Sequence, residues 1–566
     1  MSSALEIRWL GRVGYADALA LQRGLFVGTG NYLLLLEHPA TYTLGVRANM
    51  ANVLTDVVAE GAELVTADRG GDVTFHGPGQ LVGYPILSVP PKRGTVSGMA
   101  DTVAYVSSIE DIIIATCTDL GLTNVGRLKR CTGVWVDPDG PYPRKIAAIG
   151  VKLSRGRSMH GFALNVDANV LDGFRKIVAC GIADKGVTSL ANEGINVSMH
   201  DVVDAVSKRA AAVWGTEGSH RADAVWRTSP DDLSPFSRGA GPGTKALARL
   251  AQAGVDSATA VVISERKPEW LRVKADMGPE YRQLKKTVAD LKLVTVCEEA
   301  GCPNIFDCWN DGTATFMILG ERCTRACGFC LVDTRHPEPA DASEPARVAE
   351  AVARMRLQHA VITMVARDDL SDGGAEAVAA TVAAIRAQNP VTRVETLISD
   401  VKGDSGSLAT IFASRPDVLN HNLETVLRLQ RAVRPSASYA RSLSVLARAK
   451  AAGLTTKSGV MVGLGETVGE IHEALRDLRA VGVDIVTIGQ YLRPTSTHLP
   501  TARWWTPEEF NDLRAYGTDL GFAHVEASPL TRSSYHAKHG AEAAEKVAAN
   551  ATASVPVAIS SRVRSK

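Results

Sequence analysis

Apolar positions along the chain fall into two long series, separated by a polar and glycine-rich stretch. In the first series, residues 32–36 form a continuous apolar run, which predicts a buried strand that ends before Pro39. Residues 102–120 carry apolar side chains at spacings of three and four, which predicts a helix with Cys117 on its core-facing side. Further strands are predicted at residues 73–75, 133–136, 145–152 and 160–166.

The second series alternates short apolar runs with helical patterns. It predicts strands at residues 360–365, 391–397, 417–422, 454–463 and 485–491, and helices at 375–388 and 439–452. Repeated strand–helix units indicate a parallel sheet that closes partly into a barrel. In such barrels the functional groups lie at the carboxyl ends of the strands. We therefore expect a site surrounded by the polar segments that follow four of these strands, at residues 367–370, 421–424, 463–466 and 490–492.

Residues 216–258 lack a sustained pattern and are rich in turn-forming and polar residues, apart from one short helix predicted at 245–253. We interpret this stretch as a flexible linker between an N-terminal domain of residues 1–215 and a C-terminal domain of residues 259–566. A flexible chain of about 40 residues has a root-mean-square span of roughly 35 Å. That span would let two sites act on one tethered substrate.

Composition narrows the class of protein. At 566 residues the chain is too long for one core, so two or more domains are expected. Its 62 Lys and Arg against 61 Asp and Glu argue against a nucleic-acid binder, which would show a basic excess. No apolar run approaches the length of about 18 residues that predicts a membrane span. The first residues lack the basic and apolar regions of a secretory signal, so we expect a reduced, cytoplasmic location with no membrane partner.

Cysteines are concentrated in one place. Six of the nine fall within 34 residues and form two triplets, Cys297, Cys302 and Cys308, then Cys323, Cys327 and Cys330. Zinc sites use four ligands, usually in pairs, and two triplets of thiols do not match that pattern. Without a secretory signal, clustered cysteines are more often metal-binding or catalytic than disulfide-bonded. A cubane held by three protein thiolates leaves one iron open, and the second triplet predicts such a cluster.

The spacing Cys-x3-Cys-x2-Cys, with Phe329 before the last cysteine, resembles the signature of radical S-adenosylmethionine enzymes. Two further segments make the resemblance specific: Cys-Glu-Glu-Ala-Gly-Cys-Pro-Asn at 297–304 and Arg-Ser-Ser-Tyr at 532–535. With them, roughly residues 264–539 resemble lipoyl synthase. The resemblance implies a second, auxiliary [4Fe–4S] cluster, for which the ligands would be Cys297, Cys302, Cys308 and Ser534.

In the lipoyl synthase family, S-adenosylmethionine binds the open iron and yields a 5′-deoxyadenosyl radical that abstracts hydrogen from an octanoyl chain. The auxiliary cluster is consumed as the source of sulfur for carbons 6 and 8. The resemblance thus implies two [4Fe–4S] clusters per chain, S-adenosylmethionine, and an electron donor such as ferredoxin or flavodoxin.

The first half of the chain carries three separate candidates for chemistry. Residues 68–80 are glycine-rich, so backbone there can approach a ligand closely. Lys145 lies at the mouth of a predicted strand, and Cys180 lies between an apolar run and Gly181. A lone cysteine is more often core than nucleophile, and only a neighbouring cation would lower its pKa and activate it. Spacing alone does not show that Lys145 reaches Cys180.

Taken together, these three features over about residues 5–215 resemble the octanoyltransferase of the lipoate pathway, a biotin/lipoate protein ligase-like α/β domain. The resemblance implies a catalytic dyad of Lys145 and Cys180, with the octanoyl group carried as a thioester on Cys180. It also implies an acyl pocket lined by Arg69, Gly70, Gly71, Asp72, Val73, Thr74, Phe75, His76, Ala148, Ile149, Gly150, Gly161, Phe162 and Ala163. The partners implied are octanoyl-acyl carrier protein and lipoyl domains, namely those of 2-oxoacid dehydrogenase complexes and the glycine cleavage H protein.

The chain departs from the octanoyltransferase pattern in three places. Ala179 stands where proline usually precedes the cysteine, and Asp72 stands where a neutral residue is frequent. One extra residue lies between Asn165 and Phe174. None of these departures touches the dyad, so they bear on the detail of the pocket rather than on the activity.

Alternatives remain for both halves. The first half could be a module that only binds acyl carrier protein or lipoyl domains, or an ATP-dependent lipoate ligase of the same fold group. Ligases need no cysteine, so Cys180 beside Gly181 argues against a ligase. The second half could insert sulfur into another substrate, which the auxiliary triplet with residues 532–535 disfavours.

Overall fold

The structure is a computed structural model that describes residues 4–92, 100–181, 185–225, 243–262, 264–272, 279–296, 302 and 304–553. The chain divides into two compact units, one formed largely by residues 1–232 and the other largely by residues 233–566. Among the described residues, no helix combines the length and the apolar composition that crossing a membrane requires.

The first unit is built on β-sheet. Its strands are β1 (Leu5–Arg12), β2 (Asn31–Glu37), β3 (Thr41–Leu44), β4 (Glu63–Thr66), β5 (Val73–His76), β6 (Gln80–Ile86), β7 (Val125–Leu128), β8 (Cys131–Val136), β9 (Arg144–Ser154), β10 (Arg157–Asn165), β11 (Gly186–Val187) and β12 (Ser219–Asp223). The larger sheet is mixed, in the order β12-β1-β2-β6-β10-β9-β8-β7, with β11 paired to β9. A smaller sheet has the order β4-β3-β5.

The helices of this unit are α1 (Tyr15–Val27), α2 (Thr102–Asp119), α3 (Val170–Phe174) and α4 (Met199–Trp214). Helix α2 buries Ile109, Ile113 and Cys117 in the core of the larger sheet, which confirms the helical pattern and the core position of this cysteine. The start of α4 is fixed by a capping box between Ser198 and Asp201, which satisfies backbone N–H groups at the helix end.

Strand β12 lies within the stretch predicted as linker, and for residues 219–223 that prediction is wrong. The strand pairs in parallel with β1, from Leu5 opposite Ser219 to Trp9 opposite Asp223. It is an edge strand with the polar sequence Ser-His-Arg-Ala-Asp, so it lacks the apolar alternation on which the prediction depended. Edge strands carry such polar and charged residues because they face solvent on one side.

From residue 243 onwards the helices are α5 (Gly243–Gln252), α6 (Pro279–Asp290), α7 (Ile305–Asn310), α8 (Glu344–Met355), α9 (Ala375–Gln388), α10 (Ser405–Ala413), α11 (Gln430–Val433), α12 (Tyr439–Ala451), α13 (Val468–Ala480), α14 (Pro507–Asp519) and α15 (Ala537–Ala553). The strands are β13 (Val294–Thr295), β14 (Thr313–Ile318), β15 (His359–Met364), β16 (Arg393–Leu397), β17 (Val418–Asn420), β18 (Thr456–Val462), β19 (Ile485–Gln490) and β20 (His524–Ser528).

These strands form one sheet in sequential order from β13 to β20. Every pair from β14 to β20 is parallel, and the short β13 is antiparallel to β14. Among the described residues β13 and β20 end the sheet, so the structure is the partial (β/α) barrel that the alternating pattern predicted. The carboxyl ends of the parallel strands share one edge of the barrel, where functional groups are expected.

Candidate active sites

A cavity opens on the larger sheet of the first unit. Its empty space of about 470 Å³ includes open solvent. It is lined by Tyr15, Arg69, Gly70, Gly71, Asp72, Thr74, His76, Tyr84, Ala148, Ile149, Gly150, His160, Gly161, Phe162 and Ala163. The glycine-rich segment therefore faces β9 and β10 across one pocket.

Twelve of the fourteen residues predicted for an acyl pocket line this cavity; Val73 and Phe75 do not. Successive side chains of a strand point to opposite faces, so Thr74 and His76 face the cavity while Val73 and Phe75 face away. The ring of Phe75 packs instead between Tyr42 and Phe174, at centroid distances of 4.9 and 5.8 Å.

Sequence reasoning missed three lining residues, Tyr15, Tyr84 and His160. Tyr15 begins α1 and Tyr84 lies in β6, and neither position carries a local signal of binding. His160 directly precedes the predicted Gly161 and has a left-handed backbone with φ of 58°. Such a conformation is rare for a residue other than glycine in a strand, but it is not visible in the sequence.

A buried hydrogen-bonded network adjoins the cavity. His38 Nδ1 lies 2.7 Å from the carbonyl oxygen of Val13, and His38 Nε2 lies 2.7 Å from the hydroxyl of Tyr84. Burial lowers the pKa of His38 to about 4, despite the hydrogen bond with Val13. Burial also lowers the pKa of His76 well below its usual value. Both rings are therefore neutral at physiological pH and fix the shape of the pocket without adding charge.

At one margin of the cavity His160 and Lys152 share the carboxylate of Asp68. His160 Nε2 lies 2.8 Å from Asp68 Oδ1, and Lys152 Nζ lies 2.6 Å from Asp68 Oδ2. Burial alone would raise the pKa of Asp68, but the hydrogen bonds and charges of Lys152 and His160 lower it to about 2. The carboxylate is thus ionised and fixes the orientation of the His160 ring.

Glycines allow the glycine-rich segment to approach β9. The N–H of Gly70 donates to the carbonyl oxygen of Val151 at 3.1 Å. A Cβ atom at Gly150 would lie 2.8 Å from the carbonyl oxygen of Gly70, closer than real contacts allow. The two backbones can adopt this spacing because Gly150 carries no side chain there.

Lys145 is buried in β9, and its Nζ lies 4.8 Å above the ring of Trp135. Cys180 lies in the helical turn Ala179–Gly181, but its side chain is outside the described part of the structure. The pairing of Lys145 with Cys180 therefore stays a prediction.

Asp72 connects the cavity to the turn that carries Cys180. Its carboxylate accepts from Asn52 Nδ2 at 2.5 Å and from the N–H of Asn49 at 3.0 Å. The N–H of Val178, two residues before Cys180, donates to the carbonyl oxygen of Asn52 at 2.8 Å. Asp72, noted above as a departure from the family pattern, thus holds the segment against which this turn is bonded.

In the second unit, Cys323, Cys327 and Cys330 lie in a loop that follows β14. The N–H groups of Arg325 and Ala366 point to Cys323 Sγ at 3.4 and 3.3 Å. The rest of the loop is restrained through its backbone, since the N–H of Gly328 donates to the carbonyl oxygen of Val433 at 2.9 Å. His498 Nε2 also lies 2.9 Å from the carbonyl oxygen of Cys330.

The thiols of this loop lie near one another in a buried environment. Burial raises the pKa of Cys327 to about 11, and burial together with the charge of Cys327 raises that of Cys330 to about 12. Buried thiols become thiolates when a metal takes the charge, so the donor set fits a soft metal cluster. Within the described residues, no three His, Cys, Asp or Glu side chains converge on one ion position. A cubane takes one thiolate per iron and needs no such convergence.

The first triplet is placed in part. Cys297 lies outside the described residues, whereas Cys302 lies near Arg532 and Cys308 lies near Tyr535. Asn304 Nδ2 donates to the carbonyl oxygen of Leu530 at 2.7 Å, and the Tyr535 hydroxyl donates to Asp307 Oδ2 at 2.9 Å. Burial raises the pKa of Cys302, although the nearby Arg532 opposes that shift. The segment that carries Ser534 is thus brought against two of the three predicted cysteines.

Two of the four polar strand ends contact the segments that carry predicted cluster ligands. Asp368, after β15, binds Arg325 in the loop of the second triplet, and Asn422, after β17, donates to Ser533 Oγ at 2.6 Å. The other two strand ends, at residues 463–466 and 490–492, form hydrogen bonds within the barrel domain. Glu466 accepts from the N–H of Leu464 at 2.9 Å, and Gln490 accepts from the N–H of Trp505 at 2.9 Å.

Comparison with known families divides the chain at the same place as the two units. Residues 14–211 match the family model described as the lipoyl protein ligase A/B catalytic domain. Residues 317–478 match the radical SAM superfamily, and residues 232–302 match the N-terminal domain of lipoyl synthase of that superfamily. The first unit is thus a lipoate ligase-like α/β domain, and the partial barrel is a radical SAM domain.

Relatives named lipoyl synthase align with the second half. The protein from Rubrobacter xylanophilus is 56% identical over 287 residues, which is 50% of this chain and 89% of the relative. The protein from Mycobacterium avium is 55% identical over 273 residues, 48% of this chain and 89% of the relative.

Solved structures are more distant. A bipartite lipoate protein ligase from Thermoplasma acidophilum shares 16% identity with a TM-score of 0.32, covering 40% of this chain and 88% of that one. Methylornithine synthase shares 13% identity with a TM-score of 0.31, covering 50% and 94%. Neither similarity is high enough to support a conclusion about this chain.

Proposed function

The chain belongs to the lipoyl synthase family, and from that premise we propose that it builds protein-bound lipoate in two steps on one polypeptide. The first unit would transfer an octanoyl group to a lysine of a lipoyl domain, and the second would insert sulfur at carbons 6 and 8. The observation that carries the proposal is a cavity lined by the predicted acyl-pocket residues, in a chain whose second half aligns with lipoyl synthases.

In the first step, the thiolate of Cys180 attacks the thioester carbonyl of octanoyl-acyl carrier protein. A new thioester forms on Cys180, and the carrier leaves as its thiol. Lys145 takes the proton of the Cys180 thiol and returns one to the leaving sulfur. A lysine amine of the lipoyl domain then attacks the Cys180 thioester, so that an amide forms and the thiol is regenerated. The covalent intermediate divides one difficult transfer into two easier ones.

The cavity residues support this step in two ways. Ile149 and Phe162 supply apolar surface for the octanoyl chain, and Gly70 and Gly150 let the backbone close around it. His38 and His76 are neutral, so these two rings add no buried charge that would oppose an apolar ligand.

In the second unit, Cys323, Cys327 and Cys330 would hold one [4Fe–4S] cluster with an open iron for S-adenosylmethionine. Cys297, Cys302, Cys308 and Ser534 would hold the auxiliary cluster. When bound, these groups supply a 5′-deoxyadenosyl radical for hydrogen abstraction and the sulfur for insertion. The contacts of Asn304 and Tyr535 keep the two halves of the auxiliary site together.

The partners proposed are octanoyl-acyl carrier protein, lipoyl domains, and an electron donor such as ferredoxin or flavodoxin. The product of the first step is the substrate of the second. The predicted linker between the domains would raise the effective concentration of the intermediate without new contacts.

The acyl-enzyme is the species to detect. The full chain is incubated with octanoyl-acyl carrier protein, and its intact mass is compared with that of Cys180→Ser. We expect one octanoyl adduct on the unmodified chain and none on the variant, with no requirement for ATP. If a lipoyl domain gains an octanoyl group only when octanoate and ATP are supplied, the ligase alternative is favoured. If no octanoyl adduct forms with octanoyl-acyl carrier protein or with octanoate and ATP, the first unit is a binding module.

A further inference from the structure

Arg325 lies between Cys323 and Cys327 in the sequence. Its side chain is buried against the residues that follow β15 and β16. Its Nε and Nη2 donate to the two carboxylate oxygens of Asp368 at 2.7 and 2.8 Å. Its Nη2 also lies 2.7 Å from Asp400 Oδ1, and the Asp400 side chain is fully buried. A planar guanidinium held by two carboxylates is fixed both in position and in orientation.

The backbone of the same loop is bonded to the same strand end. The N–H of Thr324 donates to the carbonyl oxygen of Ala366 at 2.9 Å, and the N–H of Asp368 donates to Thr324 Oγ1 at 3.0 Å. The N–H groups that point to Cys323 Sγ come from Arg325 and Ala366 themselves. Arg325 and Cys323 are therefore bonded to the residues after β15 through both side chains and backbone.

The charges of this group act at close range on the cysteine loop. The Arg325 guanidinium and the Asp368 carboxylate both lie close enough to Cys323 to act on its charge. Reduction potentials of iron–sulfur clusters depend on net charge and on hydrogen bonds to the sulfurs. A change in any one of these three side chains should therefore be measurable as a change in potential.

We propose that Arg325 is a positioning residue for the cluster of the second triplet: clamped between Asp368 and Asp400, it seats the Cys323–Cys327 loop and sets the electrostatic field in which that cluster is reduced. This inference rests on the proposed function, because it takes the second triplet to be the cluster site. The contacts on which it depends are all within the described residues.

The test uses the full chain with Cys302→Ser and Cys308→Ser, so that the second triplet is the remaining cluster site. The clusters are reconstituted anaerobically, iron and sulfide are counted, and the potential is measured by a reductive titration followed by electron paramagnetic resonance. R325Q removes a positive charge and should shift the potential to more negative values. D400N removes a negative charge while keeping an acceptor, and should shift it to more positive values. R325K should restore most of the R325Q shift.

A purely structural role predicts another outcome. In that case R325Q and D400N would both lose iron, or both would leave the reduction potential unchanged. Potential shifts of the same sign in the two variants, or no shift in either, would overturn the proposal. If R325Q binds no iron while R325K does, the seating role is supported and D400N gives the sign of the electrostatic effect. Absence of any iron–sulfur signal in the background protein would instead overturn the cluster assignment and, with it, this proposal.

Discussion

The hydroxyl of Tyr535 donates a hydrogen bond to the carboxylate of Asp307, across 228 residues of sequence. Asp307 is next to Cys308, and Tyr535 is next to Ser534, two of the proposed ligands of the auxiliary cluster. This bond and that of Asn304 with Leu530 join the two separate segments of that site. Retention of the auxiliary cluster should therefore depend on them.

Tyr535→Phe tests that dependence. The pair is exposed to solvent, which weakens its contribution, so we expect no more than a several-fold faster loss of auxiliary iron. The measurement is the rate of iron release to a chelator from the reconstituted full chain. Tyr516→Phe, which removes the hydroxyl that Arg476 contacts at 3.0 Å outside either cluster site, is the matched control. Equal rates in the two variants would contradict the role of Tyr535.

A buried ion pair inside the barrel gives a second prediction. Lys457 Nζ lies 2.9 Å from Glu395 Oε1, and both side chains are almost fully buried. Lys457→Met would leave the Glu395 carboxylate without its cation, and breaking a buried pair in this way costs about 3–5 kcal/mol. We expect hydrogen-exchange protection of β16 and β18 to fall by the corresponding amount. Adding Glu395→Gln should restore most of it, and an unrestored double variant would show that the pair is not the cause.

The pH dependence of the first unit follows from His38. Burial lowers the folded-state pKa of His38 to about 4, whereas the unfolded value is near 6.5. Below pH 6.5 the unfolded chain takes up a proton that the folded chain does not, so stability is lost as pH falls towards 4. The loss approaches about 3 kcal/mol for this residue alone, and His76 adds to it with the same sign.

Urea denaturation with limited proteolysis reports the two units separately and can measure this loss between pH 7 and pH 4.5. His38→Gln has no ring to protonate and should show a shallower dependence on pH than the unmodified chain. A dependence as steep in the variant would assign the effect to other groups.

The cavity gives a fourth prediction, at Gly150. A Cβ there would lie 2.8 Å from the carbonyl oxygen of Gly70 and would push the glycine-rich segment away from β9. Displacements of about 1 Å at an active site can cost on the order of a hundredfold in rate, so we expect Gly150→Ala to abolish most octanoyl capture. Gly126→Ala, on the edge strand β7 with its nearest neighbour at 3.4 Å, should leave capture unchanged.

The local pattern of apolar and polar residues is sufficient to predict most of the fold. The apolar run of β2, the helical spacing of α2 and the strand–helix alternation of the barrel each reflect a face that must be buried, so the sequence displays them directly. The hydrophobic pattern does not predict strand β12, because it is a polar edge strand that is stabilised by pairing with β1 rather than by burial.

The candidate sites were predictable where a motif is contiguous. The sequence predicts residues 69–76 as one pocket-lining block, and the structure separates them by strand alternation, with Val73 and Phe75 turned into the core. Tyr15 and Tyr84 reach the cavity through tertiary packing, and no neighbouring residue signals it. The contact of Arg325 with Asp400 likewise joins two loops 75 residues apart, which a single sequence does not reveal.

The most direct test is the intact mass of an apo-lipoyl domain carried through both steps by this one chain. The domain is incubated anaerobically with the reconstituted protein and octanoyl-acyl carrier protein, and S-adenosylmethionine and a reductant are then added. We predict an octanoyl adduct first and a dithiolane-bearing species second, with Cys180→Ser blocking the first and Cys302→Ser the second alone. No adduct in the first stage, with conversion of a pre-octanoylated domain in the second, would contradict the two-step account and leave a lipoyl synthase with a docking domain.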